Sequence, residues 1–506
     1  MKSNKSNLTL INSVSSVLLQ IVTIISGFVI PRLTLSTFGS DVNGLVSSLN
    51  QFLNYVSLLE GGITGVIMAN LYKPLYNKDS KKISSVISAT KIFYRKIAYF
   101  FVAYSIILSI VYPLVFKTRF SFEYVFFLSV ILSVSLFIQY NFSLSLKVLL
   151  NADKKVYIVS FTQIFLSIVN MVLFSILIRV FPNIHFLKIV TSLVYIFQPI
   201  IYKKFVDKHF MIDCDEKPDS NLLKSRWDGF AINVAAFLHR NTDVSILTIF
   251  TNLKTVSVYS VYALVASGLR SLITSASSGV APTIGHLYAK NNIIELNEKF
   301  DTYEFIIFIT TFFLFGVGIL MITPFVMIYT KGITDANYNQ EVFGVLLLIA
   351  EAIYCIREPY VTLAYSANKF REIKKHAYIE AIINILLSVI LVKKVGLIGV
   401  AIGTLMAMLY RTLFHIVYLK RNILYRPISV SLRKISIFLI TTLFGIILCR
   451  VIIPIHNYSL LIWILYSIIY SVIIGILLLL MSFIYFKEEF KLFYNLFNKI
   501  KKVVKK

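Results

Sequence analysis

About fourteen apolar stretches follow one another along this chain, each near the roughly 20 residues that a helix needs to cross a hydrocarbon core. They run from residues 9–30, 43–69 and 92–116 through to 435–453 and 459–486, joined by short polar connections. No water is present at that depth to satisfy backbone groups, so a spanning segment must be a helix or part of a closed barrel. Barrel strands are shorter and alternate in polarity, which these stretches do not. The expected fold is therefore an all-α polytopic membrane protein with about 14 transmembrane helices. Hydrophobic residues make up 57% of the 506 and charged residues only 15%, which excludes a soluble domain.

The chain also repeats itself. Asn70 to Tyr72, after one apolar segment, returns as His286 to Tyr288, and Leu150-Asn151-Ala152-Asp153-Lys154 returns as Ser366-Ala367-Asn368-Lys369. Both are displaced by roughly 215 residues. The shift carries each helix onto one an even number of spans later, so the halves share an orientation and their axis runs along the membrane normal. The expected organisation is two parallel-related six-helix lobes plus two C-terminal helices. The first lobe covers 1–202, a cytoplasmic inter-lobe loop 203–227, the second lobe 228–420 and the additional helices 435–486. A basic amphipathic tail, 487–506, suits the inner leaflet. Connections such as Arg32 to Val42 are too short for a folded external domain.

A net charge of +26 could suggest nucleic acid, but the 50 Lys and Arg residues are unevenly placed. Starting with the N-terminus inside, most fall in cytoplasmic loops, among them Lys73, Lys78, Lys81 and Lys82, then Lys203, Lys204 and Lys208. Both termini are thus expected in the cytoplasm, and the excess charge meets an anionic leaflet, about 1 kcal/mol per basic residue. No nucleic-acid partner is implied. Lys2 and Lys5 precede an apolar run that continues to Ile30 without a cleavage signal, as an uncleaved first helix would. Cys214, Cys355 and Cys449 make no ligand pattern. There is no Cys-His, Ser-His or paired-metal constellation, and no GxxxxGK[ST] stretch for ATP. Neither an enzyme nor a cofactor is expected, and energy must come from an Na+ or proton gradient, from membrane potential or from removal of product.

Polar residues inside the spans carry the functional signal. Asn43, Ser47, Asn50, Asn54, Ser57 and Gly61 share one face of the second span, and Ser260, Ser267, Arg270, Thr274 and Ser277 share one in the eighth, with Asn54 mapping onto Arg270. Two readings stand: close packing by small and amide residues, or a water-filled cleft. In the seventh span Arg240 and Asp243 lie i, i+3, at a depth where a charge costs at least about 2.5 kcal/mol. They form either a self-satisfied pair or a cation offered to an anion and oriented by Asp243. In the tenth, Glu351 and Glu358 share a face, while Arg357 points to the cleft or to a pairing partner. Glu60, beside Gly61 and Gly62, suits a hinge, packing or an ion role. Lys147 and Arg411 fit snorkelling at span ends, and His286 and His415 fit ordinary interfacial positions. Cations on one wall and hydroxyls and amides on the other suit an anionic amphiphile carrying many hydroxyls.

The run GLVSSLNQFLNYVSLLEGGITGVIMANLYKP, Gly44 to Pro74, and the segments HRNTDVSILTIF from His239 and VSVYSVYALV resemble bacterial polysaccharide repeat-unit flippases of the Wzx type. These belong to the multidrug/oligosaccharidyl-lipid/polysaccharide exporter superfamily. The resemblance implies alternating access around a V-shaped cavity, moving undecaprenyl-diphosphate-linked oligosaccharide across the bacterial cytoplasmic membrane for surface polysaccharide assembly. It points to Arg240 and Arg270, then Arg357, as cavity cations. With Asp243, Asn50 and Asn54 these form the expected substrate set, and Glu351, Glu358 and Glu60 the expected ion-coupling set, with no metal site. Membrane lipids, a polysaccharide polymerase and glycosyltransferases are the partners implied, and the chain is expected to act as a monomer. The two extra helices match fourteen-helix members in which such helices accommodate a lipid tail. The alternative is an Na+ or proton-coupled drug or metabolite antiporter of the same fold, which Glu351, Glu358 and Asp243 favour and Arg240 and Arg270 oppose.

Overall fold

The computed structural model describes residues 2–60, 63–116, 119–213, 216–218, 237, 241–278, 280–290, 292–454 and 459–492. Among them every regular element is helical. The first half contains α1 (Lys2–Leu53), α2 (Ile63–Asn77), α3 (Ser80–Val115), α4 (Phe122–Ile138), α5 (Leu144–Ala152), α6 (Val156–Val180), α7 (Ile184–Leu193) and α8 (Phe197–His209). A helical run over residues 241–250 follows. The remainder contains α9 (Leu253–Ser278), α10 (Ala281–Ala289), α11 (Ile293–Tyr329), α12 (Glu341–Ser366), α13 (Phe370–Val395), α14 (Leu397–Asn422), α15 (Ser429–Ile452) and α16 (Leu460–Tyr485).

Ten helices among the described residues are long and apolar enough to cross a membrane. The difference from fourteen has identifiable sources. The first two expected spans run on as one helical stretch, and about half of the seventh lies outside the described residues. The tenth and eleventh, α12 and α13, are not in the group and carry Glu351, Arg357, Glu358 and Glu380. No loop separates the first two spans over residues 32–42, as had been expected. Instead two helices meet at Gly39, whose φ of 81° and ψ of −179° turn the chain within one residue, a conformation that glycine adopts without a Cβ penalty. The expected loop from Lys203 is also shorter, because α8 stays helical to His209.

The internal duplication is visible in the elements themselves. Starts at Ser80, Val156 and Ile184 return at Ile293, Phe370 and Leu397. The turn after α5 returns after α12 with the same bonds: Lys155 N donates to Leu150 O at 2.8 Å, and Lys369 N donates to Ala364 O at 3.0 Å. Each turn holds one non-glycine residue in the left-handed region, Lys154 at φ 60° and Asn368 at φ 54°. Helix starts correspond as well. Asp79 caps Lys82 N at α3 and Asn292 caps Glu295 N at α11, each satisfying an amide that the helix cannot.

The chain forms two compact units, Met1–Ser257 and Val258–Lys506. The first is built around Leu45, Leu49, Leu71, Phe101 and Tyr112, all fully buried or nearly so. In it α1 approaches the first residue of α9 so closely that a Cβ on Gly44 would lie 1.9 Å from the Leu253 carbonyl oxygen. The second is built around Phe300, Phe305, Phe308, Leu363 and Phe438. There α13 and α14 cross at Gly399 and Gly403, where added Cβ atoms would meet Leu391 and Ser388 at 2.5 and 2.2 Å, the close approach that small residues permit between membrane helices. The last two helices pack on α11: Gly316 faces the Thr442 methyl, and Trp463 Nε1 donates to Met321 O at 3.1 Å. Large apolar side chains such as Ile107, Leu114, Leu461 and Phe483 remain exposed, a surface suited to lipid rather than water.

Candidate substrate site

In the first unit the polar stripe of the second span divides into two faces. One is a packing seam against residues 241–257. Asn43 donates to Ser257 Oγ at 2.8 Å, Ser48 pairs with Thr248 at 2.8 Å, Gln51 donates to Asn241 Oδ1 at 2.9 Å and Tyr55 pairs with Ser245 at 2.9 Å. Tyr112 from α3 adds its hydroxyl to Ser48 at 2.7 Å. The other face keeps Ser47 and Asn50 half-buried and Asn54 exposed. Thus packing and polar exposure both hold, on neighbouring faces of one helix. Asp243 is buried, while Arg240, His239 and Asn233 lie outside the described residues. Glu60 closes a 3-10 turn, Asn54–Glu60, and interacts electrostatically with Lys147 of α5.

The second unit holds its polar groups as ions. Arg270 of α9 donates through Nη1 to Oε1 of Glu351 on α12 at 2.7 Å. One turn along α12, the Tyr354 ring lies 5.5 Å from the Arg270 guanidinium and 4.8 Å from that of Arg357, attractions worth about 0.5–1 kcal/mol each, more when dry. Arg357 then donates to Oε1 of Glu380 on α13 at 2.7 Å, and Arg411 of α14 donates to Oε2 of the same carboxylate. His415 Nδ1 closes the line at the Arg411 carbonyl, 2.8 Å away. Four helices, α9, α12, α13 and α14, thereby share one chain of charge. Glu358 stands half-buried two turns beyond Glu351.

Two sequence expectations change here. Arg411 does not snorkel: its side chain is only 5% exposed, because Glu380 holds it inward. His415 is not interfacial but fully buried beneath the same arginine. Glu380, its partner in this network, was missed. The signal was present, since Glu380, Asn384 and Ser388 recur every four residues along α13 and all three are fully buried, a polar stripe at helical spacing.

A second ionic group ties the last helices to α11. Lys434 of α15 contacts Asp301 at 2.8 Å, Glu304 at 3.1 Å and Glu489, beyond α16, at 3.4 Å. Arg426 pairs with Asp301, Lys420 lies 3.7 Å from Glu304, and the Tyr360 and Ser431 hydroxyls also donate to Glu304. With every carboxylate engaged by cations, this cluster clamps helices together. Between α11 and α16 lies an apolar groove of about 420 Å³ lined by Ile309, Phe313, Val472, Gly475 and Leu479.

Solved structures supply the wider comparison. The lipid II flippase MurJ in its inward closed conformation superposes with a TM-score of 0.73 over 94% of this chain and 99% of its own, at 17% identity. The chain shares the fold of that structure. The eukaryotic MATE transporter AtDTX14 follows with a TM-score of 0.61, 12% identity and coverage of 85% of this chain and 98% of its own. An inward-facing multidrug resistance MATE family transporter of the MOP superfamily gives 0.61, 15%, 81% and 96%. No protein-family model matches the sequence, and no curated protein matches it either. Similarity of this kind establishes the architecture, an all-helical fold shared with the MurJ and MATE structures, while function has to be argued from the residues.

Proposed function

We propose that this protein is a flippase that moves undecaprenyl-diphosphate-linked oligosaccharide across a bacterial cytoplasmic membrane by alternating access of two six-helix lobes, supplying surface polysaccharide assembly. The observation that carries the reading is Arg270, a guanidinium 25% exposed within an apolar helix and held by a single carboxylate oxygen. Such a cation is available to a diphosphate, which a guanidinium binds through charge-assisted and often bidentate bonds. Exposed Asn54 and half-buried Asn50 suit sugar hydroxyls, and Arg240 and Asp243 extend the set on sequence grounds. The apolar groove between α11 and α16 suits a polyprenyl tail that stays in lipid while its head crosses.

The likeness to MATE folds and the pairing of Glu351 with Glu358 on one helix face favour a second reading, an ion-coupled antiporter. The cargo's sign separates the two. In cells depleted of the protein, a membrane-impermeant glycan probe should find lipid-linked oligosaccharide retained on the cytoplasmic leaflet. Normal external exposure in a strain without a redundant flippase would move the assignment to the antiporter.

A further inference from the structure

The geometry points to Glu351 as a proton-accepting partner that couples cargo binding to proton uptake: Arg270 exchanges the Glu351 carboxylate for the cargo's diphosphate, and Glu351 binds one proton from solvent as it is left behind. This rests on the flippase reading and assigns its site a coupling step. Two of the arginine-carboxylate systems of this unit, those of Glu351 and Glu380, are built differently. Arg357 and Arg411, each only 5% exposed, occupy both oxygens of Glu380 and are locked. Arg270 touches one oxygen of Glu351, and the other, Oε2, is buried and accepts no hydrogen bond among the described residues. Arg270 is also the more accessible partner, 25% exposed against 13% for Glu351. The arginine can therefore turn toward an anion, with Tyr354 keeping it close, whereas the carboxylate cannot follow.

Charge conservation supplies the rest. The resting pair is neutral. When a diphosphate takes Arg270, the Glu351 carboxylate is left largely buried without the cation that paired it. Adding a proton at Oε2 restores neutrality without moving another group. Among the described residues, the other cation that acts on Glu351, Arg357, is itself committed elsewhere. Arg357, on the same helix, is bound to Glu380 of α13, and Arg411 of α14 is bound to that carboxylate too, with His415 on the Arg411 carbonyl. Glu358 and the Cys355 thiol on α12 add no positive charge. On α11, Tyr303 faces Thr362, and Asp301 and Glu304 belong to the Lys434 cluster. On α10, His286 is exposed.

The test is binding of undecaprenyl diphosphate to the full-length protein in lipid nanodiscs from about pH 5.5 to about pH 8.5, a range above the ordinary glutamate pKa of about 4.3. Wild type should lose affinity with rising pH more steeply than Glu351→Gln, by up to about tenfold per pH unit, the signature of one additional proton bound. The probe's own phosphate titration is common to both proteins and cancels in the difference. Calorimetry of wild type in two buffers of different ionisation enthalpy counts the same proton without a variant. Equal slopes in the two proteins, or no proton taken up by wild type beyond the probe's own, would overturn the inference and leave the flippase reading intact. Folded wild type that binds no undecaprenyl diphosphate at any pH would overturn both.

Discussion

Arg357 and Arg411, on different helices, are bound to opposite oxygens of one carboxylate, that of Glu380. Two guanidiniums buried to this degree share that carboxylate, with Glu358 adding a weaker attraction for Arg357. Glu380→Gln removes the charge and keeps the shape, so it should destabilise the protein by about 3–5 kcal/mol, the usual penalty for breaking a buried ion pair from one side. Thermal unfolding in detergent, with expression level as a second readout, checks this. A variant as stable as wild type would show that the arginines find other partners.

Gly44 and Gly65 make a matched pair. A Cβ on Gly44 would collide with the Leu253 backbone, which cannot swing aside, whereas nothing lies within 4 Å of one on Gly65. Gly44→Ala is expected to cost about 1–3 kcal/mol through overpacking, and to reduce transport. Gly65→Ala is expected to be neutral or to stabilise its helix by up to about 1 kcal/mol. Parallel melting curves decide, and equal behaviour of the two would contradict the observed approach.

Arg270→Ala should abolish transport of lipid-linked oligosaccharide, by at least about tenfold, while membrane insertion stays normal, because a lost charge-assisted contact to a diphosphate removes on the order of 1.5–3 kcal/mol of binding. Leaflet exposure of the glycan, measured beside surface-labelled protein abundance, reads both quantities. Unchanged transport would remove Arg270 from the anion site.

The Tyr112–Ser48–Thr248 relay offers a double-mutant cycle. Tyr112→Phe and Ser48→Ala should each destabilise, and their coupling should be about 0.5–1.5 kcal/mol, as for neutral hydrogen bonds inside helical membrane proteins. Additive effects would mean that the 2.7 Å contact contributes nothing beyond packing.

Much of the architecture was legible from the sequence, because apolar length and the Asn151–Lys154 and Ser366–Lys369 repeat both follow from strictly local rules. The turn geometry at Lys154 and Asn368 shows that the repeat reflects backbone conformation as well as residue identity. The ionic network was legible only in part. Arg270, Glu351 and Arg357 stood out because each interrupts an apolar run. Arg411 and Glu380 did not, since each lies near a basic span end, where a charge ordinarily reaches for water. Only the crossing of α13 and α14, set by Gly399 and Gly403 rather than by any charged residue, turns these two toward one another. Likewise the split of the second span's polar stripe depends on which helix arrives beside it, and a periodicity of 3.6 cannot name that neighbour.

The two units spend their buried polarity in different currencies, and this sets how each responds to force. Hydroxyl and amide pairs such as Asn43–Ser257 and Tyr55–Ser245 each lose only on the order of 1 kcal/mol when parted and re-solvated, so a seam made of them unzips and re-forms one contact at a time. The Glu380 triad has at most one such stage, because the arginine that leaves must carry its buried charge to another partner while its fellow stays on the carboxylate. The first seam is thus a fastener that can be opened gradually, and the second a rivet.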